Sequence, residues 1–257
     1  MRANLIPILA VLALSAAPEV AVAQPRQAPP PQGQQPPPEV RRQLDPCFMG
    51  DPRNPQQVLN ACSAAIRSGV VQGRYLGGLY MTRANLYLDM NMLDAALDDV
   101  NQAMRLLPGD PGTYFTQGYI YEGPNDDERA LADFNRAIMI APEFADARIE
   151  RGYLYSARNR LDDAFDDFSA ALQSDAMSPD ALVGRGAIYL ARNQNAQARR
   201  DFDAVLRQDA MDPQALYGRG LTYRRAGDRQ RGDADIAAAM RISEDAGKLF
   251  ASLNVDR

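Results

Sequence analysis

Residues 114–121 read Tyr-Phe-Thr-Gln-Gly-Tyr-Ile-Tyr, and the same unit continues through Ala130, Phe134, Ala137 and Pro142. A shift of 34 residues lays this pattern on itself again. Gly118 falls on Gly152, Gly186 and Gly220, and backward on Ala84. Tyr121 falls on Tyr155, Tyr189 and Tyr223, and backward on Tyr87. Ala130 falls on Ala96, Ala164 and Ala198, with Gly232 last. Phe134 falls on Phe168 and Phe202, with Val100 and Ile236 at the ends. Ala137 falls on Ala103, Ala171 and Ala239, with Val205 as the exception. Five units in one register fix the architecture as a repeat.

The spacing within a unit explains the period. A small Gly or Ala lets one helix approach a neighbour closely, and the Tyr three residues on shares its face. The Ala and the Phe four residues apart form the inward stripe of a second helix. Such a helical hairpin cannot bury its apolar face alone, so neighbours stack and complete the core. An independent column marks the turn inside each hairpin: Asn91, Asn125, Asn159, Asn193 and Gly227. Asn and Gly tolerate the left-handed backbone just past a helix end.

These residues resemble the tetratricopeptide repeat family over Gly77 to Glu244. The family's Trp column holds Tyr80, Tyr114, Arg148, Leu182 and Leu216 here, and its closing proline survives only at Pro108 and Pro142. The resemblance implies an all-α solenoid of five hairpins over 77–110, 111–144, 145–178, 179–212 and 213–246. It also implies that the first helices line a groove that takes extended or helical peptide segments. The groove residues implied are Met81 and Asn85, Phe115 and Tyr119, Ile149 and Tyr153, Val183 and Ala187, Tyr217 and Leu221. Asn85 matches a place where some members clamp a peptide carboxylate, but Met81 stands where the clamp needs Lys. Arg224 and Arg225, at the far end, are candidates to meet an acidic group.

A charge pair repeats with the same period. Arg83, Arg151, Arg185 and Arg219 precede the small residue, with Gln117 in the second unit, while Asp99, Asp133, Asp167, Asp201 and Asp235 precede the aromatic or branched residue. The pairs serve either as a charged strip for a ligand or as ion pairs that fix helix register. The register reading is favoured because Arg–carboxylate forks are geometrically specific. Gln117 leaves Asp133 as the odd acceptor. Adjacent acids such as Asp126-Asp127 and Asp162-Asp163 suit the positive end of a following helix, and no calcium-loop spacing accompanies them.

The N-terminus reads as a processing segment. Arg2 is followed by an apolar run from Leu5 to Ala17, and Ala21-Val22-Ala23 offers small residues at a cleavage site. Pro7, Pro18 and Glu19 interrupt a stretch already shorter than the ~20 residues a membrane span needs, so a cleaved signal over 1–23 is expected rather than an anchor. No Cys stands beside the cleavage site. Residues 24–46 open with a Pro/Gln-rich stretch to Pro38, the composition of an extended polyproline tether. A partner with a proline-binding groove is the alternative use of this stretch.

Cys47 and Cys62 are the two cysteines of the chain. An even count in an exported protein points to a disulfide. Their separation is unlike that of a redox pair, whose thiols have two residues between them. Cys62 lies 34 residues before Ala96, so Gln56 to Ser68 reads as the second helix of a leading half-repeat, within a cap over 47–76. At the other end, 247–257 begins like a further first helix and stops, and Phe250 and Leu253 are placed to cover the last hairpin.

The 257 residues are 46% hydrophobic, contain no His and no Trp, and carry a net charge of −5. Without His there is no Ser-His-Asp or Cys-His arrangement and no His-ligated metal, and two Cys cannot form a four-thiolate zinc site. The acidic balance argues against nucleic acid as a partner. The expected protein is an exported, non-catalytic scaffold without cofactor or metal, holding another protein or peptide, with no transmembrane span after signal cleavage. The Arg-dominated basic content suggests a GC-rich bacterium, which would place it in the periplasm. The alternatives are a structural envelope protein that associates through the Pro/Gln segment and an accessory subunit of an envelope enzyme.

Overall fold

The computed structural model describes residues 38–51, 53–122 and 126–255, and every regular element among them is helical. The expected signal over 1–23, residues 24–37 of the expected tether and Asn125 of the turn column lie outside the described residues. In order the helices are α1 (Pro38–Phe48), α2 (Pro55–Ser68), α3 (Gly73–Asp89), α4 (Leu93–Leu106), α5 (Pro111–Glu122) and α6 (Asp127–Ile140). They continue with α7 (Ala145–Ala157), α8 (Leu161–Ser174), α9 (Pro179–Ala191), α10 (Asn195–Leu206), α11 (Pro213–Arg225), α12 (Arg229–Ile242) and α13 (Lys248–Ser252). These form two compact units, one ending at Ile140 and the other starting at Ala141. Within each, consecutive helices pair as antiparallel hairpins and successive hairpins stack.

Helix ends follow from local chemistry. Asn54, Ser178 and Asp212 each cap a helix with a side-chain oxygen and are each followed by Pro at the first helical position. Proline suits that position because its missing N–H would have no partner in the helix. The turn column takes the left-handed backbone, with φ of 56° at Asn91, 58° at Asn159, 59° at Asn193 and 85° at Gly227.

In the first unit, two small cores are built. One gathers Leu44, Cys47, Val58, Cys62, Ala65, Val71 and Leu79 under α1–α3, and the other gathers Ala84, Ala96, Val100 and Ile120. The N-terminal end departs from the sequence reading. Residues 38–46, read there as tether, all lie in α1, which packs on both α2 and α3. The cap is therefore a complete hairpin. Pro38 sets the first turn, Glu39 sits at its positive end, and Val40 and Leu44 lie on the buried side. The Cys47–Cys62 disulfide ties α1 to α2 across a Cα separation of 4.8 Å, with both residues buried.

The second unit has one continuous core running from Ile149 to Val255. Its centre is a pair of fully buried rings, Phe168 and Phe202. Each ring is held between two glycines. A Cβ on Gly152 would lie 2.9 Å from Phe168, and one on Gly184, in the next first helix, 2.5 Å. Phe202 meets Gly186 and Gly218 in the same way, at 2.7 and 2.4 Å. The first glycine of each pair belongs to the small-residue column read from the sequence. Gly184 and Gly218 form a second column that the reading missed, because in the third unit the matching position is Glu150. At the C-terminal end Phe250 of α13 is fully buried, 5.8 Å from Phe202 and 5.3 Å from Tyr217 between ring centroids.

Candidate functional site

The repeated charges sit inside the hairpins. Arg83 donates through Nε and Nη2 to the two carboxylate oxygens of Asp99, both at 2.7 Å. Arg151 makes the same fork to Asp167 at 2.7 and 2.6 Å, Arg185 to Asp201 at 2.8 and 2.9 Å, and Arg219 to Asp235 at 2.7 and 3.0 Å. In each, the partners lie 16 residues apart, one on each helix of a hairpin. Asp99, Asp167 and Asp201 are buried. Each Arg is held above its ordinary pKa, for Arg83, Arg185 and Arg219 chiefly by the hydrogen bonds to its carboxylate; for Arg151 burial opposes that pull. Arg83 and Arg219 also reach the preceding hairpin. Arg83 Nη1 donates to Ser63 at 3.1 Å, and Arg219 Nη1 lies 3.5 Å from Asp203.

The α5–α6 hairpin lacks this fork. Gln117 turns to the preceding hairpin and donates to Asn101 at 3.1 Å. Asp133 has no cationic partner among the described residues, and burial pushes its carboxyl up to about 6.

The groove residues implied by the family resemblance divide by environment. Met81, Asn85, Phe115 and Tyr119 are half-buried on α3 and α5. The Phe115 ring is tilted against Phe134 at 5.9 Å. In the second unit Ile149, Val183, Ala187 and Leu221 are buried in the core, so none presents a side chain to a ligand. Tyr153 is half-buried, packs edge-on against Phe168 at 5.0 Å and donates its hydroxyl to the Asp180 carbonyl at 2.8 Å. Tyr217 is stacked under Phe250 of the C-terminal helix. Arg224 donates to Asp233 at 2.6 Å, and Arg225 reaches the carbonyls of Leu190 at 2.6 Å and Val255 at 2.8 Å. Both arginines are thus engaged within the chain, where the sequence offered them to an acidic ligand.

What the second unit presents near Tyr153 is negative. Glu150 on α7, Asp180 on α9 and Asp212 at the start of α11 lie close enough to act on Tyr153, Asp146 on α7 acts in turn on Glu150 and Asp180, and none of the four has a cationic partner among the described residues. Burial and the neighbouring Asp180 and Asp146 push Glu150 up to about 8. Partial desolvation also raises the half-buried Asp212 and the more exposed Asp146 and Asp180, reinforced by Asp175 at Asp146, by Asp212 and Asp146 at Asp180, and by Asp209 at Asp212. Tyr153 is raised for the same reasons. Only Asp212 has a structural bond, accepting from the Ala215 N–H at 2.7 Å as a helix cap. The sequence carried a signal for this cluster, since Asp146 and Asp180 are one period apart, but the turn that adds Glu150 and Asp212 was not read.

Residues 111–144 and 183–241 each match a family model described as tetratricopeptide repeat. The chain carries tetratricopeptide repeats over those residues. No curated protein sequence matches it significantly. Among solved structures it is similar to a tetratricopeptide repeat protein from Parabacteroides merdae, at 20% identity and a TM-score of 0.63, covering 84% of this chain and 86% of that one. It is similar to YrrB, described as a TPR protein with an unusual peptide-binding site, at 22% identity and a TM-score of 0.55, over 77% of this chain and 98% of that one. A third likeness is to MamA from Desulfovibrio magneticus, at 16% identity and a TM-score of 0.55, over 66% of this chain and 96% of that one. At these identities the likeness shows the fold. Among the described residues no helix is long and apolar enough to cross a membrane.

Proposed function

We propose that the protein is an exported scaffold that holds a protein or peptide partner on the first-helix faces of its hairpins, without catalysis, and that the second unit selects a basic segment. One observation carries the selectivity: four mutually interacting carboxylates, Asp146, Glu150, Asp180 and Asp212, the last three acting on Tyr153, have no cation among the described residues to balance them. Gathering unbalanced carboxylates is unfavourable, and a Lys or Arg from a partner relieves the repulsion. Tyr153 adds a half-buried aromatic edge beside the charges, the kind of anchor that dominates binding energy at interfaces. The peptide-binding site that names YrrB supports the same use of this fold. The buried Cys47–Cys62 disulfide fits an oxidising compartment, and the periplasm is our reading of which one. In the first unit, Met81, Asn85, Phe115 and Tyr119 are the corresponding proposed contact residues. The forks from Arg83, Arg151, Arg185 and Arg219 are assigned to helix register.

The test is fluorescence anisotropy with a labelled Arg/Lys-rich peptide and a Glu-rich peptide of equal length. The basic peptide binds, and the acidic one does not. Glu150→Gln with Asp180→Asn weakens binding about tenfold, whereas the helix cap Asp212 is left intact. Because a cation binds the ionised form, affinity rises as pH passes upward through the raised Glu150 value of about 8. Equal binding of both peptides, or an unchanged affinity in the double variant, overturns the selectivity.

A further inference from the structure

The turn between α11 and α12 carries charge of the opposite sign. Tyr223 on α11 is ringed by guanidinium groups, with the Arg231 carbon 4.6 Å from the ring centroid, Arg199 at 5.6 Å and Arg219 at 5.9 Å. Two of the three are neutralised locally. Arg219 pairs with Asp235, and Arg231 donates to Asp228. Arg199 on α10 has no hydrogen-bonding or ion-pair partner among the described residues, and neither does the side chain of Arg229, the first residue of α12. Arg199, Arg229 and Arg231 line an open cavity of about 630 Å³ together with Tyr223, Gly227, Asp228 and Gln230. Three guanidinium groups there face one carboxylate.

The preceding hairpin shows what normally fills this position. One period before Arg199 stands Phe165, whose ring packs edge-on against Tyr189 at 5.3 Å. That aromatic pair closes the gap between α8 and α9. At the next step an arginine replaces the phenylalanine, and Tyr223 is left with cations around it and a cavity beside it. An apolar seal has become a positive recess with an aromatic wall.

We propose that this recess binds a phosphate monoester, with the phosphoryl dianion between Arg199 and Arg229 and its organic group against Tyr223. The charge surplus of the lining matches a dianion. The planar guanidinium fork presents parallel N–H donors at the spacing of phosphate oxygens. The recess is open to solvent and its lining extends past the guanidinium groups to Tyr223, Ala226 and Gly227, which leaves an organic substituent an exit beside the phosphoryl group. This assignment is independent of the acidic face around Tyr153, which lies on other side chains.

The experiment titrates the full exported chain with phenyl phosphate, read by calorimetry and by amide NMR shifts. A parallel arm uses vesicles of phosphatidylcholine with and without phosphatidic acid. Saturable phenyl phosphate binding is expected, with the largest shifts at Gly227, Arg229 and Gln230. Arg199→Gln and Arg229→Gln each weaken it about tenfold, while Arg207→Gln leaves it unchanged. Circular dichroism of both variants matches the parent, since the replaced side chains are exposed. Vesicle binding that requires phosphatidic acid and is lost in the double variant extends the site to a lipid phosphate. Sulfate or chloride giving the same shifts at matched ionic strength overturns the proposal. So does an affinity unchanged in the double variant, or no binding in either arm.

Discussion

The α5–α6 and α9–α10 hairpins are built on one plan and filled differently. Both place a glycine against a buried phenylalanine, Gly118 on Phe134 and Gly186 on Phe202, with ideal Cβ approaches of 2.8 and 2.7 Å. In α9–α10 the Arg185–Asp201 fork closes the space beside the ring. In α5–α6 the Arg is Gln117, which bonds to Asn101 instead, and Asp133 is left half-buried and alone. The backbone is a helical hairpin in both cases. Steric fit between a ring and a missing side chain therefore sets the repeat, and the ion pair is laid over a geometry that stands without it.

The largest test of that ranking is at the ring. Phe202→Ala and Phe134→Ala each cost about 3–5 kcal/mol in urea unfolding, because both remove a fully buried ring clamped by glycine. A loss confined to one of the two breaks the shared plan. Arg185→Ala comes next, at about 3 kcal/mol, since it strands the buried Asp201 without its cation. The matching Gln117→Ala loses only one neutral hydrogen bond, about 1 kcal/mol. Equal costs for the two would show that Gln117 carries a structural role equal to the fork.

The smallest effect has a sign that depends on pH. Asp133 has a raised folded value of about 6, so the native state favours the protonated form. An acid raised on folding costs nothing below its unfolded value and costs most once the pH exceeds its folded value. Asp133→Asn therefore stabilises the protein by about 1 kcal/mol near pH 8 and has no effect near pH 4, measured by thermal melts across that range. Gln117→Arg sharpens the comparison from the other side. Supplying the missing cation brings the Asp133 carboxyl down, read by carboxyl NMR titration, and a titration still centred near 6 would mean that the new Arg does not reach it.

Legibility differed between scaffold and site. The columns led by Gly118, Tyr121, Ala130 and Phe134 were readable because each repeat must solve the same packing problem with its immediate neighbours. The Arg–Asp column was readable for the same reason. The second glycine column, Gly184 and Gly218, went unread because it serves the contact between hairpins and the third unit breaks it with Glu150. The groove side chains were misjudged at Ile149, Val183, Ala187 and Leu221, all buried, and at Arg224 and Arg225, both bonded within the chain. Their spacing along a helix does not reveal what the next helix puts over them.

The sequence by itself determined the period, the hairpin and the turn inside it, because these depend on residues within a few helical turns of each other. Tertiary structure alone decided which faces are open and which charges are left unbalanced. Asp146, Glu150, Asp180 and Asp212 become a cluster only when three first helices are brought side by side, and the field at any one carboxylate is summed over neighbours distant in the chain.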